Sequence, residues 1–121
     1  MKITAAIAIV LALSCGQSRA QSIPGQPMVP LGYCQITATP LASATKLSSC
    51  SGGIPAGATM MAVQAETANI RYRDDGVAPT SSIGQLLVSG QNPMLYTGTL
   101  SAIQFIAATG SPILDVSFYR Q

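Results

Sequence analysis

From residue 31 onward, apolar and polar side chains alternate in short runs, and clusters of Gly, Pro, Ser and Asn separate the runs. Alternation with period two marks a strand with one buried face. It predicts strands at 33–39, 44–47, 59–65, 69–73, 85–89, 94–97, 102–108 and 113–119. In the last run Leu114, Val116 and Phe118 share the face that should enter the core, because each buried side chain of this size yields about 1.5–3 kcal/mol. Asp115 shares the other face with Ile113, Ser117 and Tyr119. Met61 and Val63 should point inward from 59–65, while 85–89 is apolar enough to be buried on both sides. Glu66-Thr67-Ala68 predicts a hairpin between 59–65 and 69–73, and Thr109-Gly110-Ser111-Pro112 predicts another between 102–108 and 113–119. No stretch beyond residue 20 holds a 3.6-residue period over three turns. About eight short strands at this spacing predict an all-β fold: a single small antiparallel β-sandwich or jelly-roll-like barrel.

The N-terminus follows another rule. Lys2 precedes an apolar run, and Ser18-Arg19-Ala20 places small residues before Gln21, the layout of a secretory signal. The run is too short to span a bilayer, which takes about 20 residues. The chain therefore divides into a signal-like helix at 1–20, an extended Pro- and Gln-rich arm at 21–31 and a β-sandwich domain at 32–121. With the signal removed, no stable membrane span remains, and the chain is exported to the periplasm or beyond the cell. Of the three cysteines, Cys15 falls in the signal-like segment, in a poor lipobox. Cys34 and Cys50 remain, and an even pair in an exported chain predicts a disulfide; in a cytoplasmic chain they would be two buried thiols.

Charge narrows the function. Only 8% of residues are charged. Beyond residue 20, Lys46, Arg71, Arg73 and Arg120 balance Glu66, Asp74, Asp75 and Asp115, so the domain is neutral. A neutral domain lacks the basic footprint of a nucleic-acid binder. The absence of His removes the usual base of an acyl-transfer triad and the usual zinc donor. No phosphate-binding loop, dinucleotide fingerprint or GxSxG is present. A glycosidase needs two carboxylates across one cleft, and Glu66 with Asp74 or Asp75 is the nearest approach to such a pair. The reading is a non-enzyme with no catalytic residue, cofactor or metal. A sugar-binding face would have to draw on Tyr33, Tyr72, Tyr96 and Tyr119, of which Tyr72 shares a strand face with Ile70 and belongs to the core.

The densest charge lies in one run, Asn69-Ile70-Arg71-Tyr72-Arg73-Asp74-Asp75-Gly76-Val77-Ala78-Pro79-Thr80. Arg71 and Arg73 share the strand face opposite Ile70 and Tyr72, and Asp74-Asp75-Gly76 ends the strand in a turn. Arg71, Arg73, Asp74 and Asp75 are the candidate interaction surface; the plainer alternative is a solvated face that compensates its own charge.

This run, continued through Ser81-Ser82-Ile83-Gly84, resembles a motif of small phage and prophage virion proteins of the head-decoration or accessory-structural kind. Gly32-Tyr33, Ile54-Pro55-Ala56-Gly57-Ala58, Tyr96-Thr97-Gly98 and the closing Tyr119-Arg120 extend the resemblance over about 31–121. It implies a β-sandwich with a structural role on a protein lattice, location in the virion, protein partners and self-assembly into a homo-oligomer. The signal-like segment departs from that pattern, since virion proteins assemble in the host cytoplasm. It fits instead a secreted or periplasmic module that binds glycan or protein.

Overall fold

The computed structural model describes residues 27–121, so the signal-like segment and most of the arm lie outside the described residues. Eight strands form: β1 (Val29–Ile36), β2 (Thr45–Lys46), β3 (Met60–Glu66), β4 (Ile70–Arg73), β5 (Gln85–Leu87), β6 (Met94–Tyr96), β7 (Gln104–Ala107) and β8 (Ile113–Arg120). They make two four-stranded antiparallel sheets, a front sheet in the order β1-β8-β3-β6 and a back sheet in the order β2-β7-β4-β5. Among the described residues, helix is confined to one turn, α1 (Ala38–Leu41), and a 3-10 turn at Leu47–Ser49.

The pairings have a simple logic. β4 pairs with β5, β3 with β6, β2 with β7 and β1 with β8. The chain is thus one long two-stranded ribbon, folded back on itself between β4 and β5 and then wrapped so that successive pairs fall in alternate sheets. That winding is a jelly roll.

It also explains where the expected hairpins fail. β3 and β4 lie in different sheets, as do β7 and β8, so 67–69 and 108–112 are crossovers. At the first, the Ala68 N–H donates to the Glu66 carbonyl at 2.8 Å, with Thr67 at φ 67°. A turn this tight sends the chain out of the sheet. The Thr67 hydroxyl then donates to the Ser111 carbonyl at 2.8 Å, and the Ala108 N–H to Asn69 O at 2.9 Å, which fastens the two crossovers together.

The core lies between the sheets. Cys34, Ile36, Met61, Val63, Ala65, Leu114, Val116 and Phe118 enter it from the front sheet, and Ile70, Leu87 and Phe105 from the back. The inward faces of β3 and β8 are those the alternation predicts. Tyr72 turns inward and its ring lies 6.1 Å from that of Phe105. Two expectations need correction. β5 is an edge strand, with Gln85 and Leu86 exposed and only Leu87 buried, so it is not covered on both sides. β1 begins at Val29, inside the stretch read as an arm, and stops at Ile36, because the following residues wind into α1. Pro30, which has no N–H to give, is tolerated because β1 is an edge strand, and its register with β8 shifts between Pro30 and Gly32.

Cys34 and Cys50 form a disulfide, with Cα atoms 5.7 Å apart and a separation of 16 positions in sequence. It ties the front-sheet edge β1 to the segment that follows β2. Both cysteines are buried.

Candidate interaction surface

The charged run occupies the tip of the ribbon, which is β4, the 74–84 loop and β5. β4 alternates as the sequence requires: Ile70 is fully buried and Tyr72 packs on the core, while Arg71 and Arg73 stand on the outer face of the back sheet. Register places Arg71 between Leu86 of β5 and Ile106 of β7, and Arg73 beside Gln104, which in turn lies opposite Lys46.

The four candidate residues divide into three roles. Arg71 pairs with neither aspartate: its Nε donates to Ser81 O at 3.0 Å and its Nη1 to Gly84 O at 2.9 Å. The guanidinium fork therefore holds the returning arm of the loop against β4. Arg73 forms a two-pronged ion pair with Asp75, Nε to Oδ1 at 3.0 Å and Nη2 to Oδ2. The Arg73 guanidinium holds the Asp75 carboxyl below its ordinary value, with a smaller contribution from the Val77 N–H. Asp74 turns toward the front sheet, where the Tyr96 hydroxyl donates to its Oδ2 at 3.2 Å. Burial, and then the negative charge of Asp74, raises the Tyr96 phenol above its ordinary value.

The rest of the loop is built to keep this shape. Pro79 is buried, and the Thr80 hydroxyl accepts from the Ile83 N–H at 3.0 Å, while Thr80 and Ile83 exchange backbone bonds. Gly84 has φ 141°, and a Cβ there would meet the Tyr72 carbonyl oxygen at 2.9 Å. Only glycine lets the chain pass so close to β4. Arg73, Asp74, Asp75, Ile83, Gly84 and Gln85 line a shallow depression of about 360 Å³. Beside it the surface is apolar: Val77, Ile83, Leu86 and Val88 are 40–58% exposed.

A second depression, of about 340 Å³, lies on the outer face of the front sheet. Asp115 sits at its centre on β8. The Tyr33 hydroxyl donates to Asp115 Oδ1 at 2.5 Å, and Gln35 Nε2 donates to the same oxygen at 2.9 Å. The hydrogen bond to Asp115 raises the Tyr33 phenol above its ordinary value. Gln64 faces Asp115 across β3, and Glu66 lies on the next diagonal. A hydrogen bond with Asp115, then its negative charge, raises the Glu66 carboxyl. The carboxylates that share one depression are therefore Glu66 and Asp115, where sequence pairs Glu66 with Asp74 or Asp75. The cause is the jelly-roll pairing of β3 with β8, which no local pattern encodes.

Among the described residues, no group of three or more His, Cys, Asp or Glu side chains is placed to hold a metal ion, and no helix is long and apolar enough to cross a membrane. No protein-family model, curated protein or solved structure matches the chain.

Proposed function

We propose that this chain is a non-enzymatic structural or assembly protein, which adheres to a protein lattice in the manner of phage virion accessory and capsid-decoration proteins. The observation that carries the reading is the outer flank of the ribbon tip. There Val77, Ile83, Leu86 and Val88 leave apolar surface in water beside charges already satisfied within the chain, Arg71 by carbonyls and Arg73 by Asp75. Exposed aliphatic side chains gathered on one loop and its neighbouring strand beside satisfied polar groups have the composition of a protein contact. The jelly-roll winding is compatible with this role and does not choose it, since the same winding serves viral capsids and lectins alike. The test is mass spectrometry of gradient-purified particles from the producing cells. The chain should sediment with particles in stoichiometric amount; recovery only as free protein at the top of the gradient would overturn the reading.

A second reading, an exported periplasmic or extracellular module for glycan or protein, is favoured by the Cys34–Cys50 disulfide, a bond that persists in oxidising compartments. Intact mass under non-reducing conditions separates the two. A chain starting at Gln21 and lacking free thiols supports export, whereas an intact Met1 with free thiols at Cys34 and Cys50 removes it.

A further inference from the structure

The two outer faces of the sandwich carry opposite charge. On the front sheet, Glu66 and Asp115 lie within one exposed polar field, and among the described residues no cationic side chain shares it. On the back sheet, register puts Lys46, Arg71 and Arg73 on one face. Asp75 is the acid that neutralises part of it, through Arg73, while Asp74 is drawn off toward Tyr96. Three cations against Asp75 and Asp74, which lines the same depression as Arg73, leave the back face positive by one net charge, against two negative charges in front. Arg120, the remaining cation of the described chain, closes β8 at the rim beside Gly57. Each face also exposes aliphatic surface next to its charge, Leu95 in front and Ile83 and Leu86 behind.

We infer that the front face of one copy docks on the back face of a second copy of this chain, sheet against sheet. The inference rests on the assembly reading above and names one partner within it. Faces that differ cannot meet their own kind without setting like charges together, so the contact is heterologous. Repeated, it gives an open stack or a closed ring. Stacked sheets lie about 10 Å apart, close enough for the Lys46 ammonium to reach Asp115 or Glu66, while Arg71, held by Ser81 O and Gly84 O, adds its charge to the face without leaving the loop. Lys46 and Glu66 are exposed, so the attraction weakens as salt screens it.

The test is sedimentation velocity of the purified chain at two salt concentrations, with paired charge reversals. Wild type should associate in a concentration-dependent way, with affinity falling about tenfold or more between low and high salt. A front-reversed variant, Gln64→Lys with Glu66→Lys, and a back-reversed variant, Lys46→Glu with Gln104→Glu, should each stay monomeric. Their melting curves establish that each is folded. Mixed one to one, they should associate again, since each then offers the face the other needs. A wild type that stays monomeric at low salt, variants that associate as wild type does, or a mixture that stays monomeric would each overturn the inference. A monomeric wild type that still sediments with particles would leave the assembly reading standing and sink only this one.

Discussion

Arg71→Ala is the substitution that separates a built tip from a merely solvated strand face. A surface arginine with no partners can be truncated within about 0.5 kcal/mol. Arg71 has two. Its bond to Gly84 O is partly buried, and a hydrogen bond to a charged group in that setting contributes about 1.5–3 kcal/mol. The bond to Ser81 O is exposed and adds little. The loss should therefore be about 2 kcal/mol, or roughly a 10 °C fall in Tm for a domain of this size. Arg71→Lys keeps the charge but presents one compact ammonium in place of a fork, so it should recover only part of the loss. Arg73→Ala is the internal control. It removes an exposed ion pair, and such pairs contribute little, so its Tm should stay close to wild type. Thermal melting followed by circular dichroism reads all three. An Arg71→Ala protein that melts within a degree or two of wild type would refute the claim that this side chain holds the loop.

Three further outcomes follow from the same contacts. Reducing the Cys34–Cys50 bond opens a closed loop of about 16 residues and should cost about 3 kcal/mol, read as a lower guanidinium midpoint; an unchanged midpoint would contradict it. Gly84→Ala should destabilise by about 2–3 kcal/mol, since it sets a Cβ against the Tyr72 carbonyl, whereas Gly76→Ala, with φ 82° and open space around it, should cost only about 1 kcal/mol; urea midpoints that rank the other way would count against the loop geometry. For pH, the Glu66 carboxyl titrates above its ordinary value of 4.5 in the folded chain. Its stabilising contribution is thus full below 4.5 and is lost as pH rises through the folded value. Glu66→Gln should abolish that loss, and melting curves on either side of pH 4.5 that stay parallel to wild type would refute the Glu66–Asp115 contact.

What was legible in the sequence was whatever depends on neighbours two residues apart. Leu114, Val116 and Phe118 are buried as their alternation requires, and Asp115 is turned out. Strand positions could be read for the same reason, because Gly and Pro clusters punctuate them. Pairing could not. Glu66-Thr67-Ala68 has the composition of a hairpin turn, yet the Ala68 N–H to Glu66 carbonyl bond closes it one residue too tightly to return the strand alongside itself. Asp115 and Glu66 are far apart in sequence and share one face only because β3 lies against β8. The role of Arg71 was hidden by the same limit. Its charge suggests an acid for a partner, and two such acids follow closely, but the loop returns two carbonyls to it first.

The ribbon winding ties these observations together. Its pairs close loops of increasing length, from β4–β5 at the tip to β1–β8, where Val29 meets Arg120 across nearly the whole described chain. Closing a short loop costs less entropy than closing a long one, so the tip is the part of the ribbon whose shape its own sequence can fix. Arg71 reaches Ser81 and Gly84 only 10 and 13 residues ahead, and Arg73 reaches Asp75 two residues ahead. Scarce charge is spent there on local bonds that set one register. Once β4 and β5 are aligned, every later pair of the ribbon inherits that alignment. The long pairs rest mainly on apolar faces and the disulfide, with the Asp115 carboxylate, bonded by Tyr33 and Gln35, as the charged contact across β1 and β8. On this argument the concentration of ionised side chains in 71–75 has a folding cause that holds whatever partner the outer surface meets.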